Sequence, residues 1–216
     1  MIEYTEEDIA CIGPKINTKN LLYAYKSGIF PWSSRPFVTW WCPRKRFVLK
    51  PSNLYISKSL KKVLKKNIFK IRYDTRFEEV MKLCADTRDE TWITPDFIKE
   101  YIKLHKLGYA HSVEAYHDDK LVGGLYGVSL GKMFFGESMF HIMPNASKVA
   151  FVYLALNLKE LDFSLIDCQV YSKTFEDFGA FFMGRDEFLE IVKKNNELES
   201  IEGKWGPPLF KDFFVF

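Results

Sequence analysis

The sequence predicts a mixed α/β domain, residues 45–216, preceded by a small, basic, aromatic N-terminal domain, residues 1–44. Two observations carry that reading. Helical stretches are followed by three strand-like runs, about 110–117, 120–129 and 133–140, with only Asp118-Asp119 and Gly131-Lys132 between them as hairpin turns. Charge is also split along the chain: the 65 residues from Ile9 to Tyr73 hold 15 Lys and Arg and no Asp or Glu, while the whole chain of 216 residues nets only +3.

In order, Thr18 is placed to cap a helix through Tyr25, which Gly28 stops. Gly28-Ile29-Phe30-Pro31-Trp32 reads as a turn into an extended aromatic segment, and Phe37–Trp41 as a strand ended by Pro43. Ile56-Ser57 opens a helix with Leu60, Val63 and Leu64 on one face and Lys58, Lys61, Lys62, Lys65 and Lys66 on the other. Lysines at such spacing repel one another, and a phosphate backbone would relieve that repulsion. Thr75-Arg76-Phe77-Glu78 has the form of a capping box for a helix to about Thr87. Thr94-Pro95 starts another that ends at Gly108. After the meander, Asn145 is positioned to cap an apolar helix to about Leu161. Ser164–Tyr171 reads as a buried strand, and a helix is expected near Glu176–Phe182.

Composition excludes several classes. At 47% hydrophobic, 27% charged and 17% aromatic residues the chain is that of a globular protein. Its longest apolar run, Val149–Leu158, is too short to span a bilayer. The acidic start, Met1 to Asp8, is neither a signal nor a transit peptide, which points to the cytoplasm. Cys11, Cys42, Cys84 and Cys168 form no CxxC pair and read as reduced thiols. His105, His111, His117 and His141 make no ligand spacing, so no metal is expected. No Walker loop, GxGxxG or GxSxG occurs.

The acid-free, basic third is the footprint of a surface that binds a polyanion. Trp32, Trp40, Trp41 and Trp92 lie in or just beyond it, as suits bases that stack on rings. Two carboxylates sit in apolar runs: Glu137 in Gly136-Glu137-Ser138-Met139-Phe140 and Asp167 in Leu165-Ile166-Asp167-Cys168-Gln169. A buried carboxylate needs a partner or a task. On a continuous strand Asp167 and Gln169 would share one face.

With these residues the chain resembles the leucyl/phenylalanyl-tRNA–protein transferase family, the bacterial aminoacyl-transferases of the N-degron pathway. The matching blocks run in order from Gly28-Ile29-Phe30-Pro31-Trp32 through Trp40-Trp41-Cys42-Pro43, Ile56–Leu60, Thr91-Trp92-Ile93-Thr94, Ala110–Glu114, Leu121–Gly127, Gly136–Phe140 and Asn145-Ala146-Ser147-Lys148 to Leu165–Gln169. The resemblance implies an N-acetyltransferase-like (GNAT-related) catalytic domain. It implies transfer of Leu or Phe, and sometimes Met, from aminoacyl-tRNA to an N-terminal Arg or Lys of a protein, with no cofactor. It further implies that Trp32 and Trp92 sandwich the 3′-terminal adenine, and that Phe134, Met139 and Ile166 line the pocket for the Leu or Phe side chain. Asp167 would polarise Gln169, whose amide oxygen accepts a hydrogen bond from the attacking amine. Glu137 would pair with the basic acceptor or orient the amine. Arg44, Arg46 and the five helix lysines would meet tRNA phosphates. The chain departs from the family over Ser172–Ala180, where Thr174 replaces a His and Asp177 a Ser, and at Cys42 and His141. Acidic N-terminal acceptors, or a tRNA-binding or Fem-like transferase acting on another acceptor, are the alternatives.

Overall fold

A computed structural model describes residues 4–34, 37–87 and 91–212. A short turn, Glu6–Asp8, leads into β1 (Ile9–Ile12), α1 (Thr18–Lys26), β2 (Phe30–Ser34) and β3 (Phe37–Trp41). These strands form an antiparallel three-stranded sheet in the order β1-β3-β2.

The rest of the chain builds a seven-stranded sheet. Its strands are β4 (Lys45–Leu49), β5 (Lys70–Tyr73), β6 (Ala110–His117), β7 (Lys120–Leu130), β8 (Met133–His141), β9 (Leu165–Asp167) and β10 (Phe181–Gly184). The order is β10-β4-β9-β8-β7-β6-β5, antiparallel throughout except where β8 meets β9. Between the strands lie α2 (Lys58–Lys66), α3 (Phe77–Asp86), α4 (Pro95–Lys106), α5 (Ala146–Glu160) and α6 (Lys173–Asp177), with α7 (Arg185–Asn195) after β10.

Helices cover both faces. Leu21 and Tyr25 of α1, Phe77 and Met81 of α3, Phe97 and Tyr101 of α4 and Phe188 of α7 form one core with Tyr126 and Phe135. Leu60 of α2 and the apolar length of α5 form the other, with Phe134, Ile166, Trp205 and Phe210. This double cover explains why β7 is apolar along its length: every residue from Leu121 to Leu130 is buried. The mixed α/β class and the small unit ahead of the main sheet match the sequence reading.

Several local expectations change. The cap of α1 is Asn17, whose Oδ1 accepts from the Asn20 amide at 2.9 Å. Thr18 instead donates its amide and hydroxyl to Glu100 of α4. Thr75 likewise gives its amide and hydroxyl to Glu114 of β6, so no capping box forms and Arg76 takes the cap position without a side-chain bond. Asn145 does precede α5, but in left-handed backbone, φ 70°, and without a side-chain cap bond. The strand expected over 164–171 stops at Asp167. The helix expected near 176–182 ends earlier, at Asp177, and Phe181–Gly184 becomes an edge strand on β4. Ser57 and Thr94 cap α2 and α4 as expected.

Candidate active site

β8 and β9 are paired over three positions only, Met133 with Leu165, Phe134 with Ile166 and Phe135 with Asp167. Beyond them the strands part, and a cavity of about 890 Å³ opens at the breach. Two backbone irregularities turn side chains into it. Glu137 is the extra residue of a β-bulge, because Gly136 opposes Gly127 while Ser138 opposes Tyr126. A bulge re-aims a side chain that regular pleating would send elsewhere. Gln169 lies past the end of β9 with φ 63°, a left-handed conformation that costs a non-glycine residue about 1 kcal/mol.

Glu137 is held by three donors. The Tyr25 hydroxyl donates to Oε1 at 2.7 Å, Gln169 Nε2 to Oε1 at 2.7 Å and the Tyr101 hydroxyl to Oε2 at 3.1 Å. The two phenol oxygens also lie against each other, a contact that either phenol can fill only by giving up its bond to Glu137. Burial pushes the Glu137 carboxyl up to about 8, against the opposing pull of these donors. Burial and the nearby Glu137 charge raise both phenols as well. Because the Gln169 amide nitrogen is spent on Glu137, its Oε1 is left as an acceptor.

Asp167 is fully buried and pairs bidentately with Arg46, Nε to Oδ1 at 2.8 Å and Nη2 to Oδ2 at 2.6 Å. The Arg46 guanidinium lies between the rings of Phe30 and Phe188, at 4.6 and 4.5 Å. Arg46 is 1% exposed. The expectation that it meets phosphate on the surface is therefore corrected: it neutralises Asp167 inside the protein. Asp167 in turn accepts the Gln169 backbone amide at 2.9 Å. It thus fixes the backbone of Gln169 rather than its side chain, and the shared strand face expected from sequence gives way to this contact.

The other expected residues converge on the cavity. Trp32 and Trp92, both half-buried, line it together with Phe134, Met139 and Ile166. Lys58, Lys61, Lys62, Lys65 and Lys66 are exposed on α2 and do not line it. Arg44 is on the surface and binds Glu7 and Asp8. Sequence reasoning missed Tyr25, Tyr101 and the true place of Arg46, since a tyrosine on an apolar helix face gives no sign that its hydroxyl serves a carboxylate.

The leucyl/phenylalanyl-tRNA protein transferase model matches residues 48–193, and the N-terminal domain model of the same family matches residues 15–44. The chain belongs to the leucyl/phenylalanyl-tRNA protein transferase family. It is 44% identical to the leucyl/phenylalanyl-tRNA–protein transferase of Saccharophagus degradans, over 95% of this chain and 89% of that one. It is 45% identical to that of Syntrophobacter fumaroxidans, over 88% and 83%, and 47% identical to that of Flavobacterium johnsoniae, over 88% and 92%. Among solved structures, an aminoglycoside acetyltransferase from an uncultured soil metagenomic sample aligns over 59% of this chain and 89% of its own, with 16% identity and a TM-score of 0.39. For this member of the leucyl/phenylalanyl-tRNA protein transferase family, three of the positions singled out in sequence lie at the cavity: Ser172, Thr174 and His141 all line it.

Proposed function

We propose that the protein transfers leucine or phenylalanine, and also methionine, from aminoacyl-tRNA to the N-terminal Arg or Lys of cytoplasmic proteins, marking them for proteolysis. Residues 1–44 would act as a small domain beside a catalytic domain of residues 45–216, and no cofactor takes part. The observation that carries the reading is one cavity, in a member of this family, with an apolar wall, two tryptophans and the Glu137–Gln169–Asp167 cluster.

The chemistry is aminolysis. The acceptor α-amine attacks the ester carbonyl of the donor, the new C–N bond forms, the C–O bond to the terminal ribose breaks and the tRNA leaves with a free hydroxyl. The ester is already activated, so alignment of the two substrates supplies much of the rate. Trp32 and Trp92 stack the terminal adenine, and Phe134, Met139 and Ile166 receive the Leu or Phe side chain. Such a wall rejects charged side chains by leaving them unpaired. Gln169 Oε1 accepts a hydrogen bond from the amine and aims its lone pair. An α-ammonium ionises near 7.7–8.0. Glu137, raised to about 8, lies in the same range, so it can take the amine proton, directly or along the Gln169 amide, and return it to the departing ribose oxygen. Its carboxylate also favours a basic acceptor residue.

The test is transfer of radiolabelled leucine from Leu-tRNA to peptides beginning with Arg, Lys, Asp, Glu or Ala. Label is expected on the Arg and Lys peptides alone, and transfer by the Gln169→Ala variant falls at least 100-fold. Label on Asp or Glu peptides would keep the chemistry and overturn the acceptor assignment. Near-normal transfer by both Asp167→Ala and Gln169→Ala would sink the roles given to those residues.

A further inference from the structure

We propose that the N-terminus of α5, with Ser147 and Lys148, binds a phosphodiester of the donor tRNA, the one joining the terminal adenosine to the nucleotide before it. The proposal rests on the donor being aminoacyl-tRNA, as above. α5 runs for 15 residues from Ala146, so its aligned peptide dipoles place about half a positive charge at its start. Asn145, at the cap position, makes no side-chain cap bond, and no acidic residue stands in the first turn. The start of the helix is therefore not neutralised by its own sequence.

Two side chains of that turn point to a ligand independently of the dipole. Ser147 is 4% exposed, lines the cavity and has no partner for its hydroxyl among the described residues. Its oxygen is not enclosed by protein and is open to a ligand in the cavity. Lys148 lines the same cavity, half-buried, and binds no carboxylate among the described residues. The two carboxylates of the cavity are already engaged, Asp167 by Arg46 and Glu137 by Tyr25, Tyr101 and Gln169. A dipole, a hydroxyl and an ammonium meeting at one end of a cavity are the donor set of a phosphate site. The turn is also fixed in place. It sits against Gly123 of β7, where a Cβ would come within 2.5 Å of Ala146 Cβ and 2.9 Å of the Ser147 nitrogen. Trp32 and Trp92 line the same cavity, so base and phosphate of one nucleotide would share one continuous space.

The experiment compares equilibrium binding of two unreactive analogues, 3′-phenylalanylamido-adenosine with and without a 5′-phosphate methyl ester, followed by tryptophan fluorescence. The wild-type protein is expected to bind the phosphate-bearing analogue about 10-fold more tightly, as charge-assisted hydrogen bonds imply. Lys148→Ala should bring the ratio close to one, and Lys148→Arg should keep most of it. A wild-type ratio near one overturns the proposal, as does a ratio that survives Lys148→Ala. Because the ratio needs no turnover, it separates this inference from the catalytic reading: loss of transfer on every peptide sinks the latter and leaves the ratio standing. Failure of both analogues to bind at millimolar concentration overturns both.

Discussion

Glu137, half-buried, and Asp167, fully buried, are held by opposite means. Asp167 has a cation; Glu137 has only neutral donors. The consequence for Glu137 can be signed. In the unfolded chain a glutamate ionises near 4.3, and in the fold Glu137 is held up to about 8. Its contribution to stability is therefore full below about pH 4 and is lost as the pH rises through about 8. From pH 5 to pH 8.5 the wild-type protein should lose about 1–3 kcal/mol of unfolding free energy relative to Glu137→Gln, measured in denaturant. A constant difference across that range would remove burial as the cause. For Asp167 the expected behaviour differs. Asp167→Ala leaves the Arg46 charge buried without its partner and should cost about 3–5 kcal/mol. The double variant Arg46→Leu with Asp167→Leu should recover much of that stability and none of the transfer. Recovery of both would reduce the pair to scaffolding. The carboxylates were legible in the sequence because each interrupts an apolar run. Arg46 was not, since one arginine in a segment of basic residues carries no mark of being the one that turns inward.

Helix ends show where local sequence suffices. Ser57 and Thr94 cap as their position dictates, because no buried carboxylate claims their hydroxyls among the described residues; Ser57 shares its own only with Ser59. Thr18 and Thr75 are claimed by Glu100 and Glu114, carboxylates far along the chain that need donors once buried. No local pattern contains that demand. The same holds for the short β9, whose neighbours β4 and β8 set its length. The lysine face of α2 was legible, being a matter of spacing alone, and it is exposed as expected. Its five lysines are expected to hold tRNA. Replacing Lys58, Lys61, Lys62, Lys65 and Lys66 with Gln should lower the slope of log affinity against log salt by about 3–4. The helix itself should be no less stable, since like charges three and four apart are removed. A salt slope that does not change would place the tRNA elsewhere.

The C-terminal segment ties the far side of the molecule to the site. The Trp205 amide donates to Asp74 at 2.7 Å, its ring stacks on His111 at 3.8 Å, and it lies 5.8 Å from the ring of Phe134, a wall of the cavity. Trp205→Ala should cost about 3–5 kcal/mol in thermal or chemical unfolding. At a temperature where it remains folded it should raise KM for Leu-tRNA more than it lowers kcat. Unchanged KM would show that Phe134 keeps its place without that support. Sequence reading reached the class of fold and the small basic unit ahead of the main sheet. It did not reach the strand order, because β4 pairs with nothing near it in sequence. Val48 is bonded on one side to Asp167 and on the other to Phe181. That placement has a bearing on how the chain is made. A ribosome adds about 5–20 residues per second, so β4 leaves it roughly ten seconds before either neighbour exists. Through that interval an apolar strand waits with both edges open, and the Arg46–Asp167 pair cannot close. The nascent chain should therefore need a chaperone's shelter, and a product of translation that ends before Asp167 is expected to show no transfer.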